Sequence, residues 1–101
     1  MPLVLSLKEG DDFWVDDQQV VVRKIESGHR FWVSVSGTDK EHEITDTKAR
    51  EVHPDVFVSA GGFFKYGMVR VAIEAPRDIE ILRGDRYRAK EGERSKSNAL
   101  P

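Results

Sequence analysis

Met68–Tyr87 reads MVRVAIEAPRDIEILRGDRY, and this stretch decides the fold. Val69, Val71 and Ile73 alternate with Arg70, Ala72 and Glu74, the period-two pattern of a strand with one buried face. Ala75-Pro76-Arg77-Asp78 interrupts the run, because proline lacks a ladder donor and fixes φ. In the run that follows, Ile79, Ile81 and Arg83 share one face while Glu80 and Leu82 share the other. These residues predict two strands and a tight connection, a hairpin-like unit.

Working outward, the N-terminal part repeats the short-strand pattern. Leu3-Val4-Leu5-Ser6-Leu7 predicts a strand with apolar residues on both faces, as in a strand buried within a sheet. Lys8–Asp12 predicts a turn with Gly10 at positive φ. Phe13–Val15 and Val20–Ile25 predict two further strands around an Asp16-Asp17 turn, closed by Glu26-Ser27-Gly28. Abundant aliphatic β-formers and scarce amphipathic helical runs point to an all-β, or mostly β, class.

Residues 2–27 and 68–87 together resemble the carbon storage regulator family (CsrA/RsmA). Val69-Arg70-Val71, Ala75-Pro76-Arg77-Asp78, Ile79, Ile81 and Arg83 follow the family's order across strand, turn and strand without a gap. Leu3, Leu5, Ser6 and Gly10-Asp11 fit its opening strand and turn. The resemblance implies a five-stranded fold in a homodimer that exchanges its first and fifth strands, with a short or absent helix after the last strand. It also implies an RNA site combining Leu5, Ser6 and Lys8 of one subunit with Ile81, Leu82 and Arg83 of its partner. Family members read GGA triplets, usually in hairpin loops, much of it through backbone groups, and a planar, permanently charged guanidinium suits such single-stranded readout. Three departures stand out. Leu7 occupies the place of a family arginine, Gly84 and Arg86 replace an acidic and an apolar residue, and a segment of about residues 29–67 is inserted between the third and fourth family strands.

Within the insertion, Arg30–Ser36 predicts a strand with Phe31, Val33 and Val35 on one face, and Glu41–Thr45 a return strand. Asp46–Val52 suits one or two helical turns capped by Thr45 or Asp46. Val56–Val58 suits a short strand, and Gly61-Gly62 a break. The segment holds most of the chain's nine aromatic residues. They suit either a sheet extension with a satellite core of its own, or a partner-binding or base-stacking surface formed by Phe63, Phe64 and Tyr66 beside Lys65. Arg86–Glu91 suits a short helix, and residues 92–101 a flexible tail.

The 101 residues suit a single domain, residues 1–101. The net charge is −2, unevenly spread: residues 1–60 carry 7 Lys/Arg against 12 Asp/Glu, and residues 61–101 carry 9 against 6. The positive half is the one that bears the Arg83 motif, and where charge sits steers partners more than its total does. Cysteine is absent, which excludes disulfides and thiolate metal sites and fits a reducing compartment. No apolar run approaches the ~20 residues of a membrane span. The opening lacks the basic segment of a secretory signal, so a cytoplasmic protein without membrane association is expected.

Catalytic patterns are missing. There is no Gly-x-Ser-x-Gly and no phosphate-cradling glycine loop before a helix, and the carboxylates fall in turns. His29, His42 and His53 lack a zinc spacing and read as surface residues. Neither an enzyme nor a cofactor is expected. The expected function is a dimeric regulator of translation that binds GGA-containing mRNA 5′ leaders and blocks ribosome access. The alternative is a family-like protein that has lost RNA binding and acts through heterodimers or a protein partner at the insertion.

Overall fold

The structure, a computed structural model, describes residues 3–38 and 40–99. Its strands are β1 (Leu3–Lys8), β2 (Asp12–Val15), β3 (Gln18–Ser27), β4 (Arg30–Val35), β5 (Glu41–Thr45), β6 (Arg50–His53), β7 (Val56–Lys65), β8 (Met68–Glu74) and β9 (Ile81–Arg83). One helix, α1 (Gly84–Ala99), follows. The strands form two antiparallel sheets, ordered β1-β8-β7-β6 and β5-β4-β3-β2-β9. The mostly β class expected from the sequence is therefore present, with nine strands among the described residues, Arg50–His53 being the one not expected.

Alternation builds the core. Val69, Val71 and Ile73 of β8 face inward with Val56, Val58 and Ala60 of β7, and across from them lie Phe13, Val15, Val20, Val22, Phe31, Val33, Val35 and Ile44. All belong to one buried cluster. The insertion thus has no satellite core: Phe31, Val33, Ile44, Val52 and Val58 pack into the same interior as Phe13 and Val71. Apolar side chains of both parts lower the free energy most by sharing one dry interior, because small separate cores bury too little surface.

Met68–Tyr87 is not a hairpin. β8 and β9 belong to different sheets, β8 pairing with β1 and β7, and β9 with β2. The Ala75–Glu80 connection crosses from one sheet to the other. It is pinned where Asp16 N–H donates to Glu80 O (2.8 Å) and Glu80 N–H donates to Asp16 Oδ1 (2.9 Å). Ile79 lies outside the strand but still packs on the core.

Other elements differ from expectation for local reasons. β1 is an edge strand, so Leu3 (42% exposed) and Val4 (50%) stay exposed and only Leu7 is buried. Asp46–Lys48 bends and Arg50–His53 is a strand, since pairing with β7 overrides the helical tendency of this polar segment. Gly61-Gly62 does not end a strand. It forms a bulge inside β7, where the register with β8 shifts between Ala60 and Phe64. A Cβ on Gly61 would stand 2.7 Å from Arg70 Cβ, and Gly62 has φ 75°, so both positions favour glycine. Gly10 has φ 89°, as its turn requires. The helix begins at Gly84 and runs 16 residues, taking in residues 92–99 of the expected tail; residues 100 and 101 lie outside the described part.

Candidate nucleic-acid interface

β1 and β9 are each the terminal strand of their sheet, and both contribute to the lining of the same cavities. Two cavities span the gap between them. One, of about 100 Å³, is lined by Leu7, Asp11, Asp12, Arg83, Gly84, Asp85 and Arg88. The other, of about 210 Å³, includes Leu3, Ile73, Pro76, Ile79 and Ile81. The cavities bring Arg83 near Leu7 and Ile81 near Leu3 within a single chain, while Ser6 and Lys8 lie on the opposite face of β1 from Leu7. The resemblance implied the same strands meeting across two protomers. Here β1 pairs with the chain's own β8 (Leu3↔Ile73 through Lys8↔Met68), and β9 with its own β2.

The six residues divide by exposure. Ser6, Lys8 and Arg83 are exposed and present their polar groups to solvent. Leu5 and Ile81 are half-buried against the core. Leu82 is half-buried and lines a cavity with Arg86, Ala89 and Lys90 of α1. Leu7 is 1% exposed, so the position where the family carries an arginine belongs to the interior here. An arginine at residue 7 would lie in the core and add no surface cation.

Arg83 is not isolated. Its Nε lies 3.4 Å from Asp85 Oδ1, an exposed pair that water and salt screen strongly. Beside it α1 is fastened by contacts that no local sequence pattern announces. Asp12, 6% exposed, accepts from Gln19 Nε2 (2.7 Å), Trp14 Nε1 (3.1 Å) and Arg88 Nη1 (3.0 Å). Trp14 stacks on Tyr87 with ring centroids 3.8 Å apart and planes 2° apart. Arg88 and Asp12 are 76 residues apart in the chain, so only the fold joins them.

Burial pushes the Asp12 carboxyl pKa up, but the hydrogen bonds from Gln19, Arg88 and Trp14 and the Arg88 charge pull it further down, leaving it below the ordinary carboxylate value. A carboxylate with a depressed native pKa stabilises the fold fully above its unfolded pKa of about 3.9, and that contribution disappears as pH falls through the lower native value. Asp12→Asn is therefore expected to lower stability at neutral pH and to flatten its decline below about pH 4. Urea midpoints of both proteins between neutral and acid pH check this; parallel profiles would refute it.

Two of the three histidines are only partly exposed. His42 and His53 are half-buried and line one cavity of about 430 Å³ with Thr38, Lys40, Glu51 and Asp55. Burial, then the charges of Arg50 and Lys40, hold the His42 pKa below the usual histidine value. His29 is exposed and pairs with Asp46 (2.6 Å). No group of three His, Asp or Glu among the described residues is arranged to hold a metal. At the β7–β8 turn, Phe64 (52% exposed) and Tyr66 (81%) stand outside the core, with Lys65 Nζ 5.1 Å from the Tyr66 ring centroid.

No helix among the described residues is long and apolar enough to cross a membrane. Comparison with known proteins finds no family model, no curated protein and no solved structure that matches the chain. What the fold itself defines is a two-sheet antiparallel β protein, closed on one core and carrying a C-terminal helix against its β2–β9 edge.

Proposed function

We propose that the chain is an RNA-binding regulator of translation. It recognises GGA in single-stranded or hairpin-loop segments of mRNA 5′ leaders and blocks ribosome access there. The observation that best supports this reading is the exposure of Ser6, Lys8 and Arg83 on β1 and β9, terminal strands that share two cavities. Terminal strands leave backbone donors and acceptors unpaired on one side, and those groups can read the edges of splayed bases. Arg83 supplies a permanent charge that can stack on a base or bond to phosphate.

The active form is a homodimer in this proposal. A dimer that exchanges β1 and β9 would remake the pairings β1–β8 and β2–β9 between two copies, so the exchanged and closed forms contain the same contacts. Light scattering separates the two forms.

A second reading has specific support. Asp85 beside Arg83 lowers the positive charge available at the site, which favours a protein that has lost RNA binding and works through protein contacts. Fluorescence anisotropy with a GGA-loop hairpin decides between them. Under the RNA reading the hairpin binds, a scrambled loop binds poorly, and Arg83→Ala weakens binding by roughly tenfold or more, as expected for loss of a charged hydrogen bond worth about 1.5–3 kcal/mol. Binding indifferent to both changes would leave the second reading.

A further inference from the structure

We propose that the tip of the β7–β8 hairpin, Phe64-Lys65-Tyr66, is a second RNA contact that stacks a nucleotide flanking the segment held at β1 and β9. The proposal deepens the RNA reading above and rests on it for the identity of the ligand.

The first support is placement. Lys8 pairs with Met68, and Met68 pairs with Lys65, so Lys8 and Lys65 stand in one cross-strand row with the Tyr66-Gly67 turn at its end. Ser6, opposite Arg70, lies on the same outward face one step further along, because residues two apart on a strand share a face. Lys65 therefore continues the outward face that begins with Ser6 and Lys8, and Tyr66 follows it into the turn. Phe64, opposite the buried Val69, lies on the other face of β7. Phe64 shares a cavity of about 300 Å³ with Lys8, Glu9, Ile25 and Gly67. The acid there, Glu9, is engaged with the Ile25 backbone N–H (2.9 Å).

The second support is chemical. Single-stranded nucleic acids are held by aromatic rings that stack bases, alternating with cations that follow the phosphates. Tyr66 is 81% exposed and Phe64 52%, and Lys65 lies over the Tyr66 ring. A ring exposed to this degree gains nothing from the core.

The third support is the backbone. Tyr66 has φ 56° and Gly67 φ 75°, positive at both central residues of a two-residue turn. Asparagine or glycine is favoured at the first of these positions, and a tyrosine there is strained. A strained, solvent-facing aromatic at a turn tip points to a role outside folding.

The test uses the full chain and two RNAs, a GGA-loop hairpin with and without a single-stranded flank that carries 2-aminopurine. The flanked RNA is expected to bind more tightly than the unflanked one, with quenching of the 2-aminopurine. Tyr66→Ala should abolish the quenching and weaken the flanked complex by about tenfold, the worth of one base–aromatic stack, while leaving the unflanked complex unchanged. Tyr66→Phe should retain both properties. Lys65→Ala should reduce the salt dependence of the flanked complex by about 0.7 in the log–log slope. Tyr66 is solvent-exposed, so circular dichroism should show an intact fold in every variant.

If Tyr66→Ala and Lys65→Ala bind the flanked RNA like the wild type while Arg83→Ala does not, the tip contact is overturned and the RNA reading stands. Quenching that depends on Tyr66 but not on GGA or Arg83 supports the tip and removes the GGA reading. Absence of binding to either RNA overturns both.

Discussion

Phe31→Ala is expected to destabilise the entire chain by about 3–5 kcal/mol, the usual loss for truncating a buried phenylalanine. Phe31 is fully buried, lies between Ile25 and Ile44 in the ladder, and belongs to the cluster that contains Phe13, Leu7 and Val71. Its position inside the insertion makes the experiment informative beyond its size. A satellite core would melt separately and leave β1, β2 and β8 protected. With one shared core the chain should instead lose a single cooperative transition, and amides of β8 should exchange faster along with those of β4. Since native domains hold only about 5–15 kcal/mol in all, a loss of this size should lower the denaturant midpoint by a large fraction. Denaturant unfolding followed by hydrogen exchange checks both statements, and persistent protection in β8 would contradict the shared core.

Gly84→Ala is the second large effect. A Cβ at this position would overlap Asp12 Oδ1 and Cγ and stand 2.8 Å from Oδ2. A carboxylate tip can often swing aside, but this one is held by Gln19, Trp14 and Arg88. Moving it breaks those hydrogen bonds, and keeping it overpacks the start of α1, which alone costs about 1–3 kcal/mol. The expected results are a fall in melting temperature of about 4–8 °C for each kcal/mol lost and a change in Trp14 fluorescence as Tyr87 leaves its ring. An unchanged melting temperature together with unchanged fluorescence would show that the carboxylate is not fixed. The same geometry explains why a glycine stands at residue 84, where the resemblance led to an acidic residue.

Local alternation made several strands legible in the sequence. VRVAI, RFWVSV and the Gly10 turn took the expected forms because each depends on neighbours one or two residues away. Partnership between strands was not legible. Arg50–His53 has one buried apolar residue, Val52, so it carries no period of its own and becomes a strand only through β7. Gly61-Gly62 read as a break because a bulge and a chain break draw on the same residue. The destination of β9 was hidden for a similar reason, since proximity in sequence suggested β8 while Asp16 and Glu80 tie it to β2.

Of the candidate site, only exposure can be compared: Ser6, Lys8 and Arg83, the positions the resemblance selects, are exposed on the terminal strands β1 and β9. The resemblance could not show that Leu5 and Ile81 spend their side chains on the core, or that Leu82 adjoins α1. Asp12 looked like one more turn carboxylate, and nothing near it in the chain names Arg88 or Tyr87. The tyrosine at residue 66 was visible as one of a run of aromatics. Its positive φ, which separates it from its neighbours, is a property of the folded turn.

The pairing of β1 with β8 and of β2 with β9 also governs the order of events during folding. Leu3 meets Ile73, so β1 finds its ladder partner only far along the chain. β2 pairs at once with β3 and gains its second partner late, where Phe13 meets Arg83. Such long closures slow folding, and meanwhile an unpaired strand with Leu3, Leu5 and Leu7 is free in solution. The chain's own β8 competes for it with the β8 of any neighbour, and the outcome depends on the local concentration each provides. Dilute refolding favours closure on itself. Crowded synthesis, as on adjacent ribosomes of one message, favours capture between copies, so the strand partnership would be set at birth and then retained by the unfolding barrier.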